Sequence, residues 1–291
     1  MIVPLPAGSA VDLVGRLVAQ KLGARLGQTI VVDDRPGASG AIGTEALVRS
    51  APDGYTLGMA TTTTLATAPV LNPNLPYDPT KDVAPVALVG VSPYVLVAHP
   101  GVPAKTLQEL IALARAKPGS LSYSSVGEAS LAHLGGMLLS SMAGIALTHI
   151  PYKSSTHAVI DLVEGRIDLQ LGILPTTLQL IRTGKLRALA VTTEKRLDEL
   201  PDVPTFDESG LKGFEASLWF AVVAPKGISP AIVARLDHEI AAVVADPDVR
   251  KAWDVQGIVP LSSGAEALGE RIARDVAKWR SVASGIKLKD D

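Results

Sequence analysis

Short apolar runs alternate along this chain with segments of helical period, and that alternation constrains the fold more than any other feature. Ile2-Val3, Thr29-Ile30-Val31-Val32 and Tyr55-Thr56-Leu57-Gly58-Met59-Ala60 read as strands. Between the first two, Val11, Val14, Val18, Leu22 and Leu26 recur on one helical face. A second helix runs through Ala46 to Arg49 and stops at Pro52-Asp53-Gly54. Strand, helix, strand, helix, strand in short units predicts an α/β chain with a mostly parallel sheet and right-handed crossovers. At 291 residues the chain is long for one core, so two domains are expected.

The pattern continues. Val83–Val89 and Tyr94–Ala98 read as two strands, Leu107–Ala116 as a helix closed by Pro118-Gly119, and Leu121–Ser124 as a strand. A helix is expected from Glu128 to Ala143, and the turn at Thr148–Ser154 leads into another through Ala158–Val163. Asp168–Ile173 and Arg187–Thr192 read as strands flanking a helix that Pro175 starts. Trp219–Pro225 reads as a strand, and long helices over Pro230–Val244 and Ala265–Val282 finish the chain.

Two strand-to-helix junctions carry the chemistry. In the first, Val3-Pro4-Leu5-Pro6-Ala7-Gly8-Ser9 ends a strand, and Ser9 and Asp12 have the S-x-x-D spacing of a helix start. In the second, Ser125-Val126-Gly127 follows a strand, and Ser125 and Glu128 repeat the spacing. Such junctions aim backbone N–H groups and the positive end of a helix dipole at one spot, which suits a carboxylate. An ordinary strand-to-helix turn fits the same residues. Asp12 and Glu128 oppose an anion unless their side chains turn into the caps. Thr61-Thr62-Thr63-Thr64 closes the third strand and reads equally as a polar pocket wall or as a turn and cap.

Several classes are excluded. The net charge of −2, without a basic run, offers no surface that tracks a nucleic acid, and aromatics at 4% supply few stacking platforms. The absence of cysteine rules out disulfides, thiolate catalysis and a cysteine zinc site. No apolar stretch approaches the ~20 residues of a membrane span. Gly37-x-x-Gly40-x-x-Gly43 lacks the G-x-G-x-x-G spacing of a dinucleotide site. The histidines are His99, His133, His149, His157 and His238, and no two have the H-x-x-x-H spacing of a helical zinc site. Ser130 and His133 lie one helical turn apart, but no G-x-S-x-G elbow surrounds Ser130, so His133 is expected to pack or to line a cleft. Tyr152 is placed to close over a ligand with its ring or hydroxyl, and Lys153 is the one cation beside a candidate loop. Asp33-Asp34 and Asp290-Asp291 read as solvated charges. Met1 leads at once into a strand with no signal-peptide pattern, so either the chain is cytoplasmic or its leader lies outside this sequence.

Taken together, nine pieces in order resemble the substrate receptors of tripartite tricarboxylate transporters, the TctC or Bug family. They are Ile2–Gly8 with Asp12, Arg35-Pro36-Gly37-Ala38, Pro52–Leu57, Leu75-Pro76-Tyr77-Asp78-Pro79, His133-Leu134, His149–Lys153, Gly184–Ala190, Leu200–Thr205, and Trp219-Phe220 with Ala224-Pro225. The resemblance implies a two-lobed periplasmic-binding-protein-like fold of type II, each lobe a mostly parallel sheet flanked by helices. Residues 1–98 with 221–291 form the first lobe and 99–220 the second, with a hinge near 94–100 and 219–225. It implies a periplasmic monomer that closes on a small carboxylate and delivers it to a two-component membrane permease. No catalysis, cofactor, metal, nucleic acid or membrane insertion is implied. The carboxylate is expected at Leu5, Ala7, Gly8 and Ser9 on one loop and at Ser125, Val126, Gly127, Ser130 and His133 on the other. Thr64, Tyr152 and Gly172 are expected to shape the rest of the pocket.

The sequence departs from the family pattern at Ser9, Ala129 and Ser154, where relatives often have Gly. Gly172 stands where amino-acid-binding relatives often show Asp, which turns the expectation toward a di- or tricarboxylate or an aromatic acid. A sensor subunit using the same cleft, and a cytoplasmic enzyme on the same fold, are the alternatives on these residues.

Overall fold

The structure, a computed structural model, describes residues 1–72, 74–127, 130–152 and 154–284. The chain runs β1 (Ile2–Val3), α1 (Ala10–Leu26), β2 (Asp33–Asp34), α2 (Ala41–Val48), β3 (Gly58–Thr61), α3 (Ala68–Leu71), β4 (Val83–Ser92), β5 (Tyr94–Ala98), α4 (Leu107–Ala116) and β6 (Ser122–Ser125). It continues with α5 (Leu131–Ala143), β7 (Thr148–Pro151), α6 (Ser155–Val163), β8 (Leu169–Ile173), α7 (Leu174–Arg182), β9 (Arg187–Val191), β10 (Leu218–Pro225), α8 (Pro230–Ala245), α9 (Pro247–Asp254), β11 (Val259–Ser263) and α10 (Ala265–Ser284). These form two units, Met1–Val91 with Leu218–Asp291, and Ser92–Ser217. Among the described residues no helix is long and apolar enough to cross a membrane.

The first unit holds a six-stranded sheet in the order β11-β4-β10-β3-β1-β2. β1 lies parallel to β2 and β3, whereas β10 runs antiparallel to β3 with Phe220 opposite Thr61. α1 covers this sheet because Val11, Val14, Val18 and Leu22 fall on one face, and all four are buried beside Met59, Phe220 and Ile240. Ser9 caps the start of α1, and Gly27, at φ 67°, ends it in the left-handed region. Gly43 lets α2 approach β1: a Cβ there would lie 2.6 Å from Pro4 Cα and 2.8 Å from the Arg35 carbonyl. The spaced glycines at 37, 40 and 43 thus serve backbone geometry.

The second unit holds a five-stranded sheet in the order β7-β6-β8-β5-β9. β6 is parallel to both β7 and β8, which places Tyr123 between His149 and Leu169. β5 is antiparallel to β8 and β9. Its alternating Val95 and Val97 are buried, as are Leu107, Leu110, Leu134, Leu162 and Leu171 from the surrounding elements. Because Tyr94–Ala98 is paired on both sides in this sheet, the chain passes between units at Val91/Ser92 and Ser217/Leu218. Those points fall a few residues before the crossings expected from sequence.

Two expected elements differ. Thr29–Val32 does not enter the ladder. Only Asp33 and Asp34 pair with β1, and Val31 is 72% exposed. The helix expected from Glu128 starts at Leu131 with Ser130 as its cap. Glu128 and Ala129 lie outside the described residues, as do Lys153, Asp290 and Asp291. The sequence reading also missed α9 and β11.

Candidate functional site

The first junction is held by one carboxylate. Ser9 N–H donates to the Pro6 carbonyl at 3.1 Å, and Ser9 Oγ accepts from the Asp12 amide at 3.4 Å. With the Ser9 amide already occupied, Asp12 reaches one residue further back and accepts from Gly8 N–H at 2.7 Å. Its other oxygen lies 2.6 Å from Arg16 Nε, and Arg16 also meets Asp34 at 2.5 Å. Asp12 is 2% exposed, so its charge is turned into the cap and neutralised there. Burial, followed by the charge of Asp12, pushes the Asp34 carboxyl above its usual range. Asp34 is therefore a paired, half-buried acid and not the solvated charge expected.

Leu5 is half-buried and packs on the core, while Ala7 and Gly8 are exposed at the loop tip. Gly8 has φ 80°, a conformation that disfavours a side chain. Of the α1 start, the Asp12 and Leu13 amides are satisfied by Ser9. The Ala10 and Val11 amides have no protein acceptor among the described residues.

Thr64 does not offer its hydroxyl to a pocket. It is fully buried, and its Oγ1 bonds to the Thr61 amide and carbonyl at 3.0 and 3.2 Å. Its carbonyl accepts from Tyr77 OH at 2.6 Å. Thr62 Oγ1 accepts from the Trp219 amide at 3.0 Å. The threonine run thus makes a turn and a wide helical coil over Thr63–Thr67, with no side-chain cap from Thr62 or Thr67.

The second junction uses hydroxyls and an imidazole. Ser125 Oγ lies 2.7 Å from His149 Nε2, accepts from Gly127 N–H at 3.2 Å and donates to the Gly127 carbonyl at 2.9 Å. Ser130 Oγ donates to that same carbonyl at 2.8 Å and accepts from the His133 amide at 3.3 Å. Ser130 is therefore the helix cap that the spacing assigned to Ser125. Val126 is 52% exposed and Gly127 has φ 114°. The Leu131 and Ala132 amides of the α5 start have no acceptor among the described residues.

His133 is buried and stacks on His149 at 4.1 Å, with Tyr123 5.1 Å from His149. Gly136 makes room for that Tyr123 ring, which a Cβ would meet at 2.2 Å. Burial, reinforced by His133, pushes the His149 imidazole down to about 4. The pair of Ser125 and His149 has the distance of a nucleophile and its base but not the chemistry. Ser125 is 1% exposed, and no carboxylate orients His149 among the described residues. No cluster of three His, Cys, Asp or Glu side chains suited to a metal occurs among the described residues.

Tyr152 N–H donates to the Ser125 carbonyl at 2.8 Å, which ties its backbone to the same loop. Its hydroxyl is engaged elsewhere, donating to Asp161 at 2.7 Å, and Arg166 meets the other Asp161 oxygen at 2.5 Å. Burial and that acid push the Tyr152 phenol up to about 12. Gly172 pairs with Val95 in β8, and a Cβ there would lie 2.5 Å from Thr177 Cγ2. The backbone at 172 is packed beneath the first turn of α7, with no space for a carboxylate side chain while Thr177 stays in place.

The structure places Gly8 and Ser9 in the first junction and Ser125, Gly127 and Ser130 in the second, and sequence reasoning missed His149 as the partner of Ser125. It named no target for Asp12, which turns into the cap and accepts from Gly8 N–H. No local pattern signals His149. Its contact arises from the register of two parallel strands 26 residues apart, Tyr123 opposite His149.

Known proteins resemble this chain along nearly its whole length. Protein BugT of Bordetella pertussis is 39% identical over 292 residues, which cover 99% of this chain and 90% of BugT. The structure of Rpa4515 of R. palustris with adipate superposes with a TM-score of 0.77 at 33% identity, covering 97% of this chain and 95% of that one. A TctC solute-binding protein from Polaromonas, solved without ligand, reaches a TM-score of 0.89 at 28% identity, covering 98% and 97%. The fold is thus that of the periplasmic binding proteins. The family model described as the tripartite tricarboxylate transporter family receptor matches residues 14–288, and the chain belongs to that TctC family of solute-binding receptors.

Proposed function

We propose that this chain is a periplasmic receptor that captures a small carboxylate and hands it to a two-component membrane permease. The observation that carries this reading is the state of the two helix starts. Among the described residues, α1 and α5 each keep two first-turn amides without a protein acceptor, and the acid beside the first of them is neutralised by Arg16. A carboxylate placed on such amides gains hydrogen bonds and the favourable end of the helix dipole. In the first unit the candidate contact is the Leu5–Ser9 loop, and in the second unit it is the Ser125–Gly127 loop with Ser130 and His133, near Tyr152 and Gly172. Thr64 contributes packing only. Adipate, present in the Rpa4515 structure, is a dicarboxylate and supports this ligand class. An acid without an ammonium group is favoured, since Gly172 supplies no carboxylate to pair with an amine.

Thermal unfolding against mono-, di- and tricarboxylates, aromatic acids and amino acids tests the proposal. A ligand bound only by the native state stabilises it by about 2.7 kcal/mol at a hundredfold excess over Kd. One acid class should give a large, saturable rise in Tm, and Gly8→Val and Gly127→Val should each abolish it. Retained affinity in both variants overturns the assignment of the two loops.

A further inference from the structure

The hydroxyl of Ser125 has three polar neighbours and only one proton. Gly127 N–H, 3.2 Å away, can only donate, and the Gly127 carbonyl, 2.9 Å away, can only accept. The carbonyl also accepts from Ser130 Oγ at 2.8 Å and Ser130 N–H at 3.1 Å, but the Ser125 hydroxyl meets all three of its neighbours at once only with its proton on the carbonyl and one lone pair on the amide. His149 Nε2, at 2.7 Å, completes the set only as a donor to the remaining lone pair. With the proton on Nδ1 instead, the hydroxyl would have to abandon the carbonyl in order to donate to Nε2.

We propose that His149 carries its proton on Nε2 and, through Ser125 Oγ, is the positioning residue that fixes the Ser125–Gly127 loop for ligand binding. This rests on the reading of that loop as a carboxylate contact. The ring is suited to the role. His133 stacks on one side at 4.1 Å, Tyr123 stands against it at 5.1 Å, and β7 holds its backbone in register with β6. Burial keeps the imidazole neutral near neutral pH, so the loop is anchored without adding a charge. The anchor has a consequence for the ligand. Gly127 N–H is turned back onto Ser125, so among the described residues of this junction the backbone donors left for an anion are the amides of Val126, Leu131 and Ala132.

The proton position is read first, on ligand-free protein, by long-range nitrogen–proton correlation across the imidazole rings, with His149 assigned by its loss in His149→Gln. A proton on Nε2 is expected, and a proton on Nδ1 overturns the proposal whatever the ligand. Calorimetric titration with adipate, citrate and benzoate follows. His149→Leu should weaken the binding acid about tenfold, the loss of one hydrogen bond. His149→Gln, whose side-chain amide donates from a similar place, should stay within about threefold. In a Ser125→Ala background His149→Leu should cost nothing further, which a merely structural role would not produce. The ligand-free Tm of each variant is measured alongside. Wild-type affinity in His149→Leu, or equal losses in His149→Leu and His149→Gln, refutes the positioning role. An Nε2 proton in a wild-type protein that binds none of the three acids instead overturns the carboxylate reading.

Discussion

Asp12→Asn isolates the device that holds the first junction. The substitution keeps the shape of the side chain but leaves one acceptor where two are needed. The substituted amide can serve either Gly8 N–H or Arg16, and its NH2 group then faces a donor at the other position. A hydrogen bond involving a charged group contributes roughly 1.5–3 kcal/mol. Arg16 retains Asp34, so the loss falls in the lower part of that range, about 2 kcal/mol. For a unit of this size it lowers Tm by roughly 4–8 °C. Arg16→Met should cost more, about 3 kcal/mol, because it strands Asp12 beside Asp34 with no cation between them. That the two acids already oppose each other is visible in the raised pKa of Asp34, for which the Asp12 charge is the second cause after burial. The double variant should then be less destabilised than the two single losses combined, by at least about 1 kcal/mol, since removing the charge at position 12 relieves the repulsion that Arg16→Met creates. Calorimetric unfolding at neutral pH measures all four proteins. Asp12→Asn within about 0.5 kcal/mol of wild type, or strict additivity in the cycle, refutes the account.

Three further outcomes are expected. His149 has a folded pKa of about 4, below its ordinary 6.5, so its contribution is complete above 6.5 and is lost as the pH falls toward 4. The loss reaches at most roughly 3 kcal/mol; urea unfolding across that window should show it in wild type and a flatter profile in His149→Gln, and identical profiles count against a buried neutral ring. Gly43→Ala should destabilise by about 2–3 kcal/mol, because its methyl meets the backbone of Pro4 and Arg35, which no side-chain rotation can relieve. A wild-type Tm in that variant refutes the contact. Asp275→Ala should cost about 3 kcal/mol by leaving Trp219 Nε1, which donates to Asp275 at 2.9 Å, buried without a partner. Trp219→Phe in that background should recover part of the loss, and no recovery argues that the hydrogen bond is not the cause.

Periodicity and caps were the legible part of the fold. The spacing of Val11, Val14, Val18 and Leu22, with Ser9 before it, states a helix and its start in local terms, and α1 follows them. Leu107–Ala116 is likewise closed by Pro118-Gly119. Pairing is not local. Thr29–Val32 has the β-branched composition of a strand, yet a strand exists only where a partner supplies its ladder, and that begins at Asp33. Nor was β11 visible, because an edge strand with two exposed residues lacks the continuous apolar run of a buried one. The site divides in the same way. Ser9 as a cap was legible, but the target of Asp12 depended on whether the Ser9 amide was already occupied by Pro6. Ser125 and His149, 24 residues apart, meet only because β6 and β7 are parallel and in register.

Both junctions meet the same physical requirement by different chemistry. A glycine loop ahead of a helix must be fixed if its amides are to be preorganised for an anion, yet whatever fixes it must not compete for those amides. A bare carboxylate at the first turn would be such a competitor, since the helix dipole favours it as much as it favours a ligand. At α1 the competing charge is present as Asp12, but Arg16 pairs with it and its second oxygen is committed to Gly8. At α5, among the described residues, the loop is held by uncharged groups, Ser125, Ser130 and a neutral His149. The first solution depends on an ion pair that Arg16 leaves half-exposed, and salt screens such a pair in part. The second rests on burial and hydrogen bonding, which salt hardly alters. Raising ionic strength should therefore loosen the Gly8 loop before the Gly127 loop, and amide exchange at Gly8 and Gly127, followed across a salt series, measures that order. Equal acceleration at both amides would show that the Asp12–Arg16 pair is not what holds the first loop.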